Sequence, residues 1–158
     1  MTTAPSPNAL TWSDTFLLGY GPMDDTHREF VDCVHALQTA PDAKLLTALQ
    51  AVCAHCESHF AQEHRWMEET DMPGRDCHAD EHAAVMRSLQ EVVTLLSGKP
   101  SERDFAITRS LAAELARWFP AHADQMDSAL SHWMSKKRFG GKPMVIRRNI
   151  LEGSHAKD

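Results

Sequence analysis

Residues 45–67 read LLTALQAVCAHCESHFAQEHRWM. Leu45, Leu49, Val52, Cys56, His59, Glu63 and then Trp66 or Met67 recur every three or four residues, the interval that brings side chains onto one face of an α-helix. The stretch predicts a long amphipathic helix, from about residue 42 to residue 70, with a histidine and a glutamate on its inward stripe. Polar groups are costly to bury without partners. Two ligands four residues apart lie one above the other on a helix and can grip one metal ion, which gives His59 and Glu63 a reason to face inward.

The flanking sequence repeats the pattern. Upstream, His27, Phe30, Val31, Val34 and Leu37 mark the inner face of a helix that starts near Asp24 or Asp25, either of which can cap it, and stops before Pro41. Beyond Pro73 and Gly74, a third helix carries His78, His82, Val85, Met86, Leu89, Val93 and Leu96 until Gly98 and Pro100 break it. Ser101 and Asp104 then resemble a capping box with aspartate at its last position. They open a fourth helix bearing Phe105, Leu111, Leu115, Trp118, His122, Met126 and Leu130. No segment alternates like a strand. The expected fold is all-α: an up-and-down antiparallel four-helix bundle with an N-terminal leader and a C-terminal basic tail.

At 158 residues the chain suits one domain with a real core. We divide it into a disordered leader (1–11), a four-helix domain (12–134) and a basic tail (135–158). No apolar run approaches the roughly 20 residues that span a bilayer, and the first 11 residues lack the basic and apolar parts of a secretory signal. A soluble, cytoplasmic protein is expected, with Cys33, Cys53, Cys56 and Cys77 as reduced thiols. Cys56 falls on the apolar stripe, where cysteine packs as a small hydrophobe. Residues 1–134 hold 9 basic and 20 acidic side chains against 7 and 2 in residues 135–158. An acidic body excludes nucleic acid as the expected partner.

Seven side chains form the candidate metal set: His27, His59, Glu63, His78, His82, His122 and Asp127. Each helix contributes at least one. Histidine with carboxylate suits iron, manganese or zinc, and the absence of a cysteine ligand argues against a closed structural zinc site. Ferritin-like di-iron centres use Glu-x-x-His, a spacing missing from the four helical stretches. His64 and Glu68 repeat the four-residue spacing, but His64 sits about 140° around the helix from His59 and reads as surface. His55 lies one turn before His59 near the edge of the same face, but the other helices supply no matching ligand at that level, so it reads as an ordinary histidine rather than an outer partner of the site. His35 and His132 have no partner at helical spacing. The five-residue interval from His122 to Asp127 is out of phase for a regular helix by the same angle, and Pro120 removes a helix hydrogen bond just before it. A distortion of the π-bulge type is expected there.

With these residues in hand, the chain is identified as resembling the hemerythrin family, specifically its bacterial single-domain members. The likeness covers residues 12–127: Trp12, Leu18-Gly19, Met23-Asp24-Asp25-Thr26-His27, His59-Phe60-Ala-Gln-Glu63, Met67, Pro73, His78-Ala-Asp-Glu-His82 and Trp118-Phe-Pro-Ala-His122 followed by Asp127. The resemblance implies two iron ions that bind dioxygen reversibly. By similarity His78, His82 and His122 hold one iron, His27 and His59 hold the other, and Glu63 and Asp127 bridge them with an oxo or hydroxo group. Three histidines, two carboxylate oxygens and that bridge fill an octahedron, so the second iron keeps one open position. Phe30, Phe60, Trp118 and Met126 are candidates for an apolar wall. Three positions depart from the family's habit. Thr26 stands where a longer polar residue is usual, Ala123 where a bulky aliphatic one is common, and Pro120 interrupts a helix.

Carriage, storage or delivery of dioxygen is the leading function by this resemblance, without enzymatic turnover. An oxygen or redox sensor that signals to a partner, and a di-iron enzyme reducing peroxide or nitric oxide, are the rivals. In the tail, the basic residues 136–138 before Gly140 and Gly141 read as a helix end. The stretch 142–148 can dock on the acidic body or on a protein partner, and is too short a basic signal for stable membrane insertion.

Overall fold

The computed structural model describes residues 8–140. Residues 1–7 and 141–158, with most of the expected leader and the 142–148 stretch, lie outside it. The described residues form four helical runs and no strand: α1 (Gly21–Thr39), α2 (Leu45–Glu69), α3 (Arg75–Leu96) and α4 (Glu102–His122). The last run continues through a π-helical turn, Ala123–Asp127, into α5 (Ser128–Phe139). Each connection between successive runs, 40–44, 70–74 and 97–101, is five residues long. Such links are too short to cross a bundle, so chain neighbours pack side by side and antiparallel. α1 and α3 each pack against both α2 and α4, closing the ring.

α1 begins three residues before the expected cap. Gly21 and Pro22 open it, because proline's fixed φ suits a first turn whose N–H groups have no helical partner. Asp24 is free for another task. Its buried carboxylate accepts hydrogen bonds from the backbone N–H of Leu18 (2.8 Å) and of Gly19 (3.1 Å), tying the incoming chain to the helix. Farther upstream Leu10 is buried; its N–H donates to Gln38 Oε1 at 2.7 Å, and its carbonyl accepts from His35 Nδ1 at 2.9 Å. Thus His35 finds its partner in the leader. The capping box forms as read, with the N–H of Ser101 donating to Asp104 Oδ2 at 2.8 Å and the Ser101 hydroxyl accepting from the Asp104 N–H.

The inward stripes of α1 and α2 are those of the sequence. On α3 Val92 is more fully buried than Val93, and α4 is rotated by about one residue: Thr108, Ala112, Leu115, Phe119 and His122 are buried, while Phe105, Leu111 and Trp118 are half-buried. Two apolar clusters result. One gathers Phe30, Val34, Leu49, Val52, Phe60, Leu89, Phe119 and Ala123, and the other Tyr20, Met23, Trp66, Met67, Met72, Leu130 and Met134. Cys56 belongs to the first as packing, and all four cysteines are free thiols. α5 ends at Gly140, whose φ of +64° is the left-handed conformation that glycine adopts without strain. In its last turn the Lys137 ammonium lies over the Trp133 ring and the Arg138 guanidinium over Tyr20 and Trp66.

Candidate metal centre

Between the two clusters lies a polar layer. Along α1, His27 separates Met23 of one cluster from Phe30 of the other; along α2, Glu63 separates Trp66 from Phe60; after α4, Asp127 separates Leu130 from Ala123. His27, His59, Glu63, His78, His82, His122 and Asp127 are all at most 5% exposed. The structure brings all seven predicted ligands together. Five of them, Glu63, His78, His82, His122 and Asp127, present ligand atoms within 4.8 Å of one another, and so do His27, His59 and Glu63.

The carboxylates sort the histidines. Glu63 turns Oε1 toward His59 Nε2 (2.6 Å) and His27 Nε2 (3.9 Å), and Oε2 toward His78 Nε2 (3.2 Å) and His82 Nε2 (3.3 Å). Asp127 turns Oδ2 toward His27 Nε2 (3.0 Å), and Oδ1 toward His78 Nε2 and His122 Nε2 (3.0 Å each). Each carboxylate thus turns one oxygen toward the side of His27 and His59 and the other toward the side of His78, His82 and His122. His27 Nε2, His78 Nε2, Glu63 Oε2 and Asp127 Oδ1 are buried without a hydrogen bond of acceptable geometry, despite these short separations. Their lone pairs aim at shared points rather than at each other. A buried cation accepts such lone pairs, so the donor set fits a metal pair.

Local structure explains the aim. His59 with Glu63, and His78 with His82, use the four-residue repeat of α2 and α3. His122 and Asp127 need the π turn, which adds one residue to the helical circuit and returns Asp127 to the inner face. The expected distortion is therefore present. It follows Pro120, which has no N–H to give the helix.

Charge follows geometry. Burial opposes charge on His27 and on His78, but the carboxylates of Asp127 and Glu63 outweigh it and raise both to about 9. Those imidazoles in turn hold both buried carboxyls well below their ordinary range. His82, buried with histidine neighbours, falls to about 3.

The walls are aromatic. Phe60 stacks on His82 with ring centroids 3.8 Å apart, and Trp118 on His122 at 4.2 Å. Phe119, which the sequence reading passed over for its neighbour Trp118, sets its edge to His27 and stacks on Phe30. Met126 is half-buried. Thr26 donates its hydroxyl to the Pro22 carbonyl at 2.6 Å, a bond within its own helix. His55 packs 5.4 Å from the His59 ring and sits 3.6 Å from Glu29; burial lowers it to about 4. Two polar neighbours escaped the sequence reading. His64 Nε2 lies 3.2 Å from His82 Nδ1, and Glu81 Oε2 lies 2.5 Å from His122 Nδ1. His64 is therefore no surface ornament. Its angle on α2, off the apolar stripe, turns it toward α3.

The family described as "Hemerythrin HHE cation binding domain" matches residues 18–133. The chain belongs to the hemerythrin family. It is 35% identical over 128 residues to the bacteriohemerythrin of Ralstonia nicotianae (strain ATCC BAA-1114 / GMI1000), covering 81% of this chain and 90% of that one. Over 145 residues it is 25% identical to the bacteriohemerythrin of Stenotrophomonas maltophilia (strain R551-3), covering 84% and 91%. No solved structure matches significantly. The matched span of this hemerythrin includes every one of the seven converging side chains.

Two outcomes test the centre. In the metal-free protein His27 and His78 keep protons to about pH 9, against about 6.5 when unfolded. Their stabilising contribution is full below pH 6.5 and is lost as pH rises through 9, and metal uptake must expel the same protons. Zinc affinity measured against a competing chelator should climb from pH 6.5 to 9 and then level; a flat profile contradicts this charge state. Deleting exposed Gln125 should restore the four-residue spacing between His122 and the aspartate, so that a regular α-helix replaces the π turn with the metal-free melting temperature unchanged or higher and zinc binding retained. Loss of zinc binding in the deletion variant would show that the π turn does more than absorb the extra residue between His122 and Asp127.

Proposed function

We propose that this hemerythrin binds dioxygen reversibly, as a carrier, store or delivery protein, at two iron ions held in its polar layer, and that it is not an enzyme. His78, His82 and His122 hold one ion, His27 and His59 hold the other, and Glu63 and Asp127 span both. The observation that carries this reading is the sorting of each carboxylate's two oxygens toward different groups of histidines. A two-histidine half has one protein ligand fewer than its neighbour and so keeps an open coordination position, which a ligand-binding metal needs. The bound irons would supply the electrons that hold dioxygen.

The chain's own residues define the surroundings. Phe30 and Phe119 on the His27 side, with Phe60 and Trp118 on the other, exclude water from the layer. A dry site suppresses proton leakage and side reactions. Ala123, 3% exposed, leaves more room beside His122 than a branched side chain would. No described helix is long and apolar enough to cross a membrane.

Anaerobic loading with ferrous iron should give two irons per chain, and admitting oxygen should raise a visible absorption band that disappears under argon over repeated cycles. Irreversible bleaching with peroxide turnover would favour an enzyme, and failure to hold two irons would sink the proposal. Filling the space with Ala123→Ile should slow autoxidation of the oxygenated protein several-fold, read as decay of the same band; an unchanged decay rate would show that room at Ala123 does not set it.

A further inference from the structure

The two groups of histidines differ on their outer side. The Nδ1–H of His122 donates to Glu81 Oε2 at 2.5 Å, a direction that follows from chemistry, because an ionised carboxylate only accepts. His82 Nδ1 lies 3.2 Å from His64 Nε2, with the two rings stacked at a tilt of 22°. By contrast the outer nitrogens of His27 and His59, both Nδ1, are buried with no hydrogen-bond partner among the described residues. A ring has two nitrogens, and fixing the proton on one commits the lone pair of the other. The inner Nε2 atoms of His122 and His82 face each other 3.1 Å apart, within hydrogen-bonding distance. In the metal-free chain His82 Nε2–H donates to His122 Nε2 and His64 Nε2–H to His82 Nδ1; a cation on the two inner Nε2 atoms reverses the His64 bond, so that His82 Nδ1–H donates outward.

We infer that Glu81 and His64 are positioning residues of the metal centre: with metal bound, each accepts the outer N–H of one histidine, fixing the tautomer and ring orientation of His122 and His82, two of the three histidines in that half. Neither touches the centre. The Glu81 side chain is 42% exposed and projects from α3 to α4, and half-buried His64 projects from α2 to α3. Each therefore also ties a ligand on one helix to the surface of the next. The histidines of the other half have no such support, so the two halves differ in preorganisation as well as in ligand number.

The inference rests on the metal reading proposed above, and zinc, which is diamagnetic, separates the two. In full-length, zinc-loaded protein, proton–nitrogen correlation spectra of the histidine rings should show slowly exchanging Nδ1–H signals for His122 and His82. Glu81→Ala should abolish the first and weaken the zinc step that shifts the His78, His82 and His122 signals by about 10- to 100-fold, the usual cost of losing such support. The step reported by His27 and His59 should move much less. Glu81→Gln, whose amide oxygen still accepts, should restore the protected signal and most of the affinity. His64→Ala should abolish the His82 signal in the same way, and His64→Gln should recover it. Wild-type zinc affinity in both alanine variants would overturn the positioning role, as would Glu81→Gln as deficient as Glu81→Ala. Absence of zinc binding by the wild-type chain would instead bring down the metal reading itself.

Discussion

Everything in this bundle is arranged around the burial of seven lone-pair donors in one dry layer. Five imidazole Nε2 atoms and four carboxylate oxygens converge between two apolar clusters, and several of them have no hydrogen bond to one another. Taking even one ion out of water costs several kcal/mol after relaxation, on the order found for buried pairs. Protons on His27 and His78 neutralise part of this. The facing Nε2 atoms of His82 and His122 share one hydrogen bond, in line with the outer bonds to His64 and Glu81. A bound cation would offset the remainder, because it accepts the buried lone pairs that no hydrogen bond satisfies.

The rest of the fold follows from holding that layer flat. Three five-residue links keep the helices in a ring, so each contributes ligands at one level. The apolar clusters above and below then lock the helices against sliding, because a shift of one residue turns a helix by about 100° and would take a ligand out of the layer. Asp24 and the Leu10 clamp extend this outward by pinning the entry segment to α1, the helix that supplies His27. Trp12 and Phe16 continue the contact through an edge-on pair to each other and from Phe16 to Phe119, which itself meets His27.

Much of this was legible in the sequence, for a reason that can be named. Ligands within one helix obey the 3.6-residue repeat, so His59 with Glu63 and His78 with His82 announce both the helix and its inner face. Even the π turn was readable, as the phase error between His122 and Asp127. Contacts between helices carry no such period. Glu81 and His64 sit off the apolar stripes of α3 and α2, and only the tilt and rotation of adjacent helices bring them to His122 and His82. The exchange of Trp118 for Phe119 as the buried ring has the same origin: α4 is rotated by about one residue, and a large amphipathic ring can be satisfied half-buried against His122. α1 starts ahead of Asp24 because that carboxylate holds the entry segment at Leu18 and Gly19 rather than the helix end, a choice that local propensity does not reveal.

The π turn also joins two properties that seem separate. Ala123 is its first residue and Asp127 its last. The first packs into the apolar cluster beside the centre and sets the room there, while the second supplies a carboxylate to both halves. A wider helical turn lies between them, stabilised by fewer well-aligned hydrogen bonds than an α-helical one. A larger side chain at Ala123 must be accommodated by this segment, because the facing core is close-packed and yields little. Side-chain size at Ala123 and the placement of Asp127 are therefore coupled mechanically. The small residue at Ala123 lets the turn close without moving the carboxylate, so the packing beside the polar layer and the aim of Asp127 are set by the same five residues.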